Sequence, residues 1–86
     1  MHKVTPDFLI DWLKVHVRSS LGLDKDAHLI ITAPHKLRGI PSTKSNIGPP
    51  RHYSYTGQGS TSQSDVMATV ITALNEAREI YTYKSR

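Results

Sequence analysis

The residues of this sequence that are best suited to bind a ligand lie in its middle. Five consecutive positions, RHYSY, hold Arg51, His52, Tyr53 and Tyr55. Cationic side chains can pair with phosphates, and aromatic rings or guanidinium planes can stack on bases. Three further cations precede this segment: Lys36, Arg38 and Lys44. The combination predicts a surface that binds an anionic partner, with the cations on phosphate and one of the tyrosines stacked on a base.

The positive charge of the chain is concentrated in the same region. The formal net charge is +4 at pH 7, from 11 Lys and Arg residues and 7 Asp and Glu residues. Residues 27–64 contain four of the cations and no acidic residue, whereas the rest of the chain contains seven of each sign. A locally positive surface favours a partner such as a nucleic acid, a phosphorylated small molecule or an acidic protein surface.

A turn rich in glycine and hydroxyl groups follows the two tyrosines. Its residues, GQGSTS, lead into a predicted helix, whose free N–H groups and positive dipole end favour an anion. Ser60 and Ser62 therefore join the candidate ligand-binding residues. The turn lacks the Gly-Lys-Ser/Thr of a nucleotide P-loop, and Asp65 in the first helical turn competes for the same positive end. A flexible connector that ends in an ordinary helix cap is the alternative interpretation.

The residue types that catalysis needs do not converge in the sequence. The carboxylates fall on predicted helix surfaces and turns, and no Gly-x-Ser-x-Gly turn supports a serine nucleophile with His52 and Asp65. The five histidines show no metal-ligand spacing and there is no cysteine, so a metal site would need His28, His35 and His52 to meet. We predict no catalytic residues, no metal and no cofactor. An enzyme with His35 or His52 as a base has the least support.

Length and composition predict one small soluble domain, residues 1–86. Of the 86 residues, 37% are hydrophobic and 21% are charged, as in ordinary globular proteins. No apolar run approaches the roughly 20 residues that span a bilayer, and no signal-peptide pattern is present. The lack of cysteine fits a reducing compartment. We therefore expect a cytoplasmic protein that does not associate with membranes.

Two amphipathic helices are the best-defined elements of the sequence. The first is expected at about residues 6–21, with Thr5 as the N-cap, Pro6 in the first turn and a stop at Gly22. The second is expected at about residues 63–81, where a Ser-Gln-Ser-Asp sequence resembles a capping box. Both segments carry apolar residues at helical spacing, which indicates one buried face on each helix.

Between the helices we expect two strands that are separated by a long loop. The apolar run at about residues 28–33 predicts a strand covered on both faces, and the alternation at residues 52–56 predicts a short second strand. The proline and glycine residues of 34–51 predict no regular element there, and a loop of this length is usually functional or disordered. The tail from Thr82 is expected to fray.

The predicted fold class is α+β, in the order helix, strand, long loop, strand, helix. Two strands alone are a marginal sheet, so we predict that dimerisation completes it and that the protein is a homodimer. The leading functional hypothesis is a small non-enzymatic binding module for an anionic partner, either a nucleic acid or a phosphorylated small molecule. The alternative is a protein-interaction factor, an inhibitor or adaptor, that docks its loop on an acidic protein surface. Its apolar anchors would be Leu37, Ile40 and Ile47. The sequence is assigned to no known family.

Overall fold

The structure is a computed structural model that describes residues 1–23, 28–49, 53–56 and 63–84. These ranges contain two helices and four short strands, so the predicted combination of helices and strands is confirmed. In chain order the elements are β1 (His2–Val4), α1 (Pro6–Leu21), β2 (His28–Ile31), β3 (Tyr53–Thr56), α2 (Gln63–Ile80) and β4 (Tyr81–Tyr83). The predicted order lacked β1 and β4. Among the described residues, no helix combines the length and apolarity that crossing a membrane requires.

Helix α1 is bounded at both ends by local signals. At its start, the Thr5 Oγ1 accepts a hydrogen bond from the Phe8 N–H at 3.1 Å, which satisfies one of the free donors of the first turn. At its end, Gly22 adopts a φ of 62° and its N–H donates to the Arg18 carbonyl. Glycine reaches this left-handed conformation without steric cost. The buried face of α1 consists of Leu9, Leu13 and Val17.

The hydrophobic core lies between the two helices and one face of β2. Helix α2 supplies the largest group of buried side chains: Val66, Val70, Ala73, Leu74 and Ala77. Strand β2 supplies Leu29 and Ile31, whereas Ile30 between them is 56% exposed. The prediction that this strand is covered on both faces is therefore wrong for the single chain. Successive side chains of a strand point to opposite faces, and only the face with Leu29 and Ile31 is buried.

Strands β1 and β4 form a parallel pair that the sequence analysis missed. Val4 lies opposite Tyr83, both side chains are buried, and the Lys84 N–H donates to the Val4 carbonyl at 3.0 Å. The Tyr83 hydroxyl donates to the Pro34 carbonyl at 2.7 Å. The expectation that the tail frays from Thr82 is therefore wrong for residues 82–84. Each strand has only three residues and its partner lies at the far end of the sequence, so no local pattern signals the pairing.

Part of the loop predicted at residues 34–51 has a defined conformation. Lys36 and Ile47 form an isolated antiparallel bridge. Beside it, the Gly48 N–H donates to the His35 carbonyl at 2.7 Å. The backbones approach so closely here that a Cβ on Gly48 would lie 2.7 Å from the His35 carbonyl oxygen, which explains the glycine. We call residues 35–48 the loop hairpin.

The loop hairpin is attached to the core through Ile47. This side chain is fully buried, whereas Ile40 at the other end of the hairpin is 36% exposed. The expectation that Ile47 is an apolar anchor for a partner protein is therefore wrong. Proline and glycine in the sequence exclude long regular elements, but they do not prevent a side chain between them from entering the core.

Candidate anion-binding site

The three cations predicted to bind a ligand from the loop are all on the surface, since Lys36, Arg38 and Lys44 are exposed. Lys44 lines two cavities that are described below, and Lys36 and Arg38 line neither of them. The ligand-binding roles of all three cations stay predictions. Four other predicted site residues lie outside the described residues, and their roles stay predictions: Arg51, His52, Ser60 and Ser62.

The two tyrosines predicted to stack on bases, Tyr53 and Tyr55, belong to β3. The antiparallel register places Tyr53 opposite Ile31 and Tyr55 opposite Leu29. The register fixes the backbone pairing of these two positions, and base stacking by Tyr53 or Tyr55 stays a prediction.

A polar cleft of about 250 Å³ lies where the loop hairpin meets the β1–β4 pair. Its polar lining comes from Lys3, Ser42, Lys44, Asn46 and Thr82. Among the described residues that line it there is neither a carboxylate nor a histidine. Two positive groups at one small polar space, whose described lining contains no carboxylate, favour a negatively charged occupant. We call this space the Lys3–Lys44 cleft.

The two lysines reach the cleft from distant parts of the sequence. Lys3 is the middle residue of β1 and lies opposite Thr82 of β4. Lys44 lies on the loop hairpin, where its N–H donates to the Pro41 carbonyl at 2.9 Å and closes a turn. No local charge pattern points to Lys3, because this residue belongs to the charge-balanced part of the chain. Only the parallel pairing of β1 with β4 brings it to the cleft.

Asn46 fixes the loop hairpin to β4. Its Oδ1 accepts hydrogen bonds from the Tyr83 N–H and the Thr82 hydroxyl, each at 2.7 Å. Its own N–H donates to the Thr82 Oγ1 at 3.1 Å, and its Nδ2 donates to the Tyr83 carbonyl at 3.4 Å. The neighbouring Ser45 hydroxyl donates to the Tyr81 carbonyl at 2.7 Å. The side chains of Ser45 and Asn46 thus form hydrogen bonds with backbone groups of β4, as a third strand of the sheet would do.

A larger cavity of about 590 Å³ adjoins the cleft, since Lys44 and Ile40 line both. Arg78 of α2 also lines it, and the Arg78 Nε is buried without a hydrogen-bond partner among the described residues. Glu79 contributes a carboxylate to the same lining, so the charge of this cavity is mixed. Arg78 adds a cation next to the cleft, and the sequence analysis missed it because it lies in a charge-balanced region.

The histidines of the described residues show no metal site. Within those ranges, no three His, Asp or Glu side chains come together in a way that could hold a metal ion. His16 stacks on Trp12 with ring centroids 4.9 Å apart, and its Nε2 lies 3.3 Å from the Glu76 Oε2. These contacts indicate a packing role for His16. His52 lies outside the described residues, so the site with His28 and His35 stays a hypothesis.

The fold and the site together define a small mixed α/β protein with a cationic cleft between a parallel strand pair and a loop hairpin. No protein family, curated protein or solved structure matches the chain. The function is therefore inferred from the geometry and chemistry of the site.

Proposed function

We propose that this protein is a non-enzymatic binding module for a phosphate-bearing ligand, which occupies the Lys3–Lys44 cleft. The observation that carries the proposal is the meeting of two lysines at a small polar cleft with no carboxylate in its described lining. The ligand is a nucleic acid or a phosphorylated small molecule, because both present the same group to the cleft. Both lysines are exposed, so salt screens their attraction for the ligand.

The chemistry of lysine fits a phosphate that is held by charge. Each ammonium group offers three donors on a flexible stem and binds phosphate as a point charge. A phosphate group offers several acceptor oxygens and therefore can contact Lys3 and Lys44 together. The Ser42 hydroxyl, also in the lining, adds a donor that needs no charge. Such a site selects for phosphate charge and size more than for the shape of the attached group.

The composition of the cleft supports binding over catalysis. Histidine and carboxylate side chains are the usual groups for proton transfer near neutral pH, and the described lining residues include neither. The Tyr83 hydroxyl, a further polar group of this region, donates to the Pro34 carbonyl. The remaining polar groups of the lining are lysine ammonium groups, two hydroxyls and an amide. They can hold an anion, but none of them is an adjacent base that would activate a nucleophile.

The alternative function, docking of the loop on an acidic protein surface, has weaker support. It requires apolar anchors on the loop, and Ile47 belongs to the core. Leu37 and Ile40 remain, and both line the larger cavity next to the cleft. The cations would serve either partner, but the small volume of the cleft suits a phosphate better than a protein surface.

Lys44→Ala tests the proposed function. The probe is a labelled abasic oligomer, which offers sugar and phosphate without bases, and its affinity is measured by fluorescence polarisation between about 50 and 200 mM salt. Each phosphate contact of a single strand contributes about 0.7 to the slope of log affinity against log salt. The variant is expected to flatten the slope by about this amount, and inorganic tripolyphosphate is expected to displace the probe from the unmodified protein.

The matched control is Lys14→Ala, which removes the same charge from α1 at a residue that does not line the cleft. This variant is expected to keep the original slope. An equal loss in both variants would mean that binding follows net charge alone, and it would contradict the cleft as the site. Binding that does not depend on salt, or no binding of either probe, would contradict the proposed function itself.

We also infer that a second copy of the chain covers the open face of β2. In the described residues β2 pairs with β3 alone, a pair of strands is marginal without further cover, and Ile30 is 56% exposed on that face. Ile30→Asp is expected to convert a dimer into a monomer in light scattering at tens of micromolar protein. Val15→Asp, at a more exposed position of α1, is expected to leave the mass unchanged. A monomeric mass for the unmodified protein would contradict the inference.

A further inference from the structure

A second basic cavity shares Lys3 with the Lys3–Lys44 cleft. Its volume is about 450 Å³, which lies within the range of about 300–1,000 Å³ that small-molecule sites occupy. Its lining combines rings with cations: His2, Lys3, Phe8, Tyr81 and Lys84. The described lining contains no acidic residue, and both lysines are exposed. The lining of the Lys3–Lys44 cleft is mostly polar, whereas the lining of this cavity also contains three aromatic rings.

The rings of this cavity belong to a cluster around Tyr81 that also includes Trp12, which does not line the cavity. The Phe8 ring meets the Tyr81 ring edge to face, with centroids 5.5 Å apart and planes at 74°. Trp12 meets Tyr81 in the same manner at 5.7 Å, and the His2 ring lies 6.3 Å from it. Tyr81 and Trp12 are partly buried against the core, so they hold the cluster in place. In an edge-to-face contact one ring presents its edge to a face of the other, so the contact with Tyr81 covers at most one face of the Phe8 ring.

Core packing explains Trp12 and Tyr81 but does not explain Phe8. The Phe8 side chain is 46% exposed, although Leu9 beside it is fully buried and α1 has a clear inward face. A phenylalanine that keeps so much apolar surface in water gains from a flat partner that covers it. The bases of a single-stranded nucleic acid are such partners, because each base has an accessible face that stacks on aromatic rings.

We propose that this cavity is a stacking platform for a base of a single-stranded nucleic acid, with Phe8 as the exposed ring and Lys3 and Lys84 as its flanking cations. The proposal rests on the proposed function, since Lys3 also lines the cleft and so places a bound phosphate next to the platform. A duplex does not fit this chemistry, because its bases are already stacked on one another. Asp7, which precedes Phe8 on α1, does not line the cavity.

The test compares two labelled single strands of equal length, one with bases and one abasic. The unmodified protein is expected to bind the strand with bases at least about fivefold more tightly, as one stacked base implies. Phe8→Leu removes the ring but keeps an apolar side chain, and it is expected to abolish this preference without changing the affinity for the abasic strand. The fluorescence of Trp12, the single tryptophan, is expected to change with the strand that has bases and not with the abasic one.

Two further variants separate the ring from the fold. Phe8→Tyr keeps a ring and is expected to retain the preference for bases. Val15→Leu changes an exposed apolar residue of α1 outside the cavity, and it is expected to behave as the unmodified protein. Circular dichroism spectra and thermal midpoints of all variants identify any loss of structure.

The outcomes distinguish failure of the platform from failure of the cleft. Equal affinity of the unmodified protein for the two strands would overturn the platform, and the cleft would stand if Lys44→Ala still weakened both. A preference that survives in Phe8→Leu, or a duplex that binds as well as the single strand with bases, would also overturn the platform. An abasic strand that binds without any dependence on Lys44 would overturn the proposed function instead.

Discussion

Ile47→Ala is expected to lower the free energy of unfolding by about 2–5 kcal/mol. Ile47 is fully buried although it lies in a segment rich in proline and glycine. Removal of its side-chain atoms loses their burial and leaves a cavity that the neighbouring residues refill only in part. Denaturation in urea is expected to show a lower midpoint with an unchanged slope. A single domain of this size has little stability to lose, so the variant is expected to be partly unfolded at physiological temperature.

Ile40→Ala is the matched control, because it makes the same change in the same loop hairpin at a residue that is 36% exposed. It is expected to lower the free energy of unfolding by about 1–2 kcal/mol, less than Ile47→Ala, since Ile40 is only partly buried and its removal leaves no enclosed cavity. Similar losses from the two variants would show that the loop hairpin does not pack on the core through Ile47.

Asn46→Ala is expected to lower the free energy of unfolding by about 1–3 kcal/mol and to weaken ligand binding as well. The variant removes the acceptor of the Tyr83 N–H and the Thr82 hydroxyl, both in a partly buried region. A polar group that loses its partner away from water costs about 1–3 kcal/mol. The loop hairpin also carries Lys44, so its release from β4 is expected to reduce the affinity for the abasic strand. Urea denaturation and fluorescence polarisation measure the two effects.

Asn75→Ala controls for this change, because Asn75 is exposed on α2 and alanine favours a helix more than asparagine does. It is expected to leave the free energy of unfolding unchanged or slightly higher. If Asn46→Ala leaves both stability and binding intact, the side-chain hydrogen bonds of Asn46 neither hold the loop hairpin nor position Lys44 at the cleft.

The helices are the part of the fold that the sequence by itself determined. Thr5 and Gly22 act on their immediate neighbours, as cap and as stop, and apolar residues at helical spacing give each helix one buried face. The expected ranges, 6–21 and 63–81, compare with Pro6–Leu21 and Gln63–Ile80 in the structure. Helix α2 ends one residue earlier because Tyr81 begins β4. Such signals are readable because each lies within one or two turns of the helix it determines.

The site combines local signals with long-range contacts. The basic middle of the chain pointed to Lys44, but the sequence contains nothing that pairs it with Lys3 or with the rings of Phe8 and Tyr81. Likewise, alternation predicted a strand at Tyr53 and Tyr55, while the face these positions occupy depends on the register with β2. A charge count shows where cations are frequent in the sequence, and not which of them share a cleft.

Tertiary structure alone decided the parallel pairing of β1 with β4, the burial of Ile47 and the place of Lys3 in the cleft. The physical reason is the same in each case. A short segment has no preference of its own that is strong enough to fix its conformation, and it becomes ordered through contacts with residues far away in the chain. The sequence determined the helices and the position of the basic segment, and the contacts between distant segments determined which lysines share the cleft.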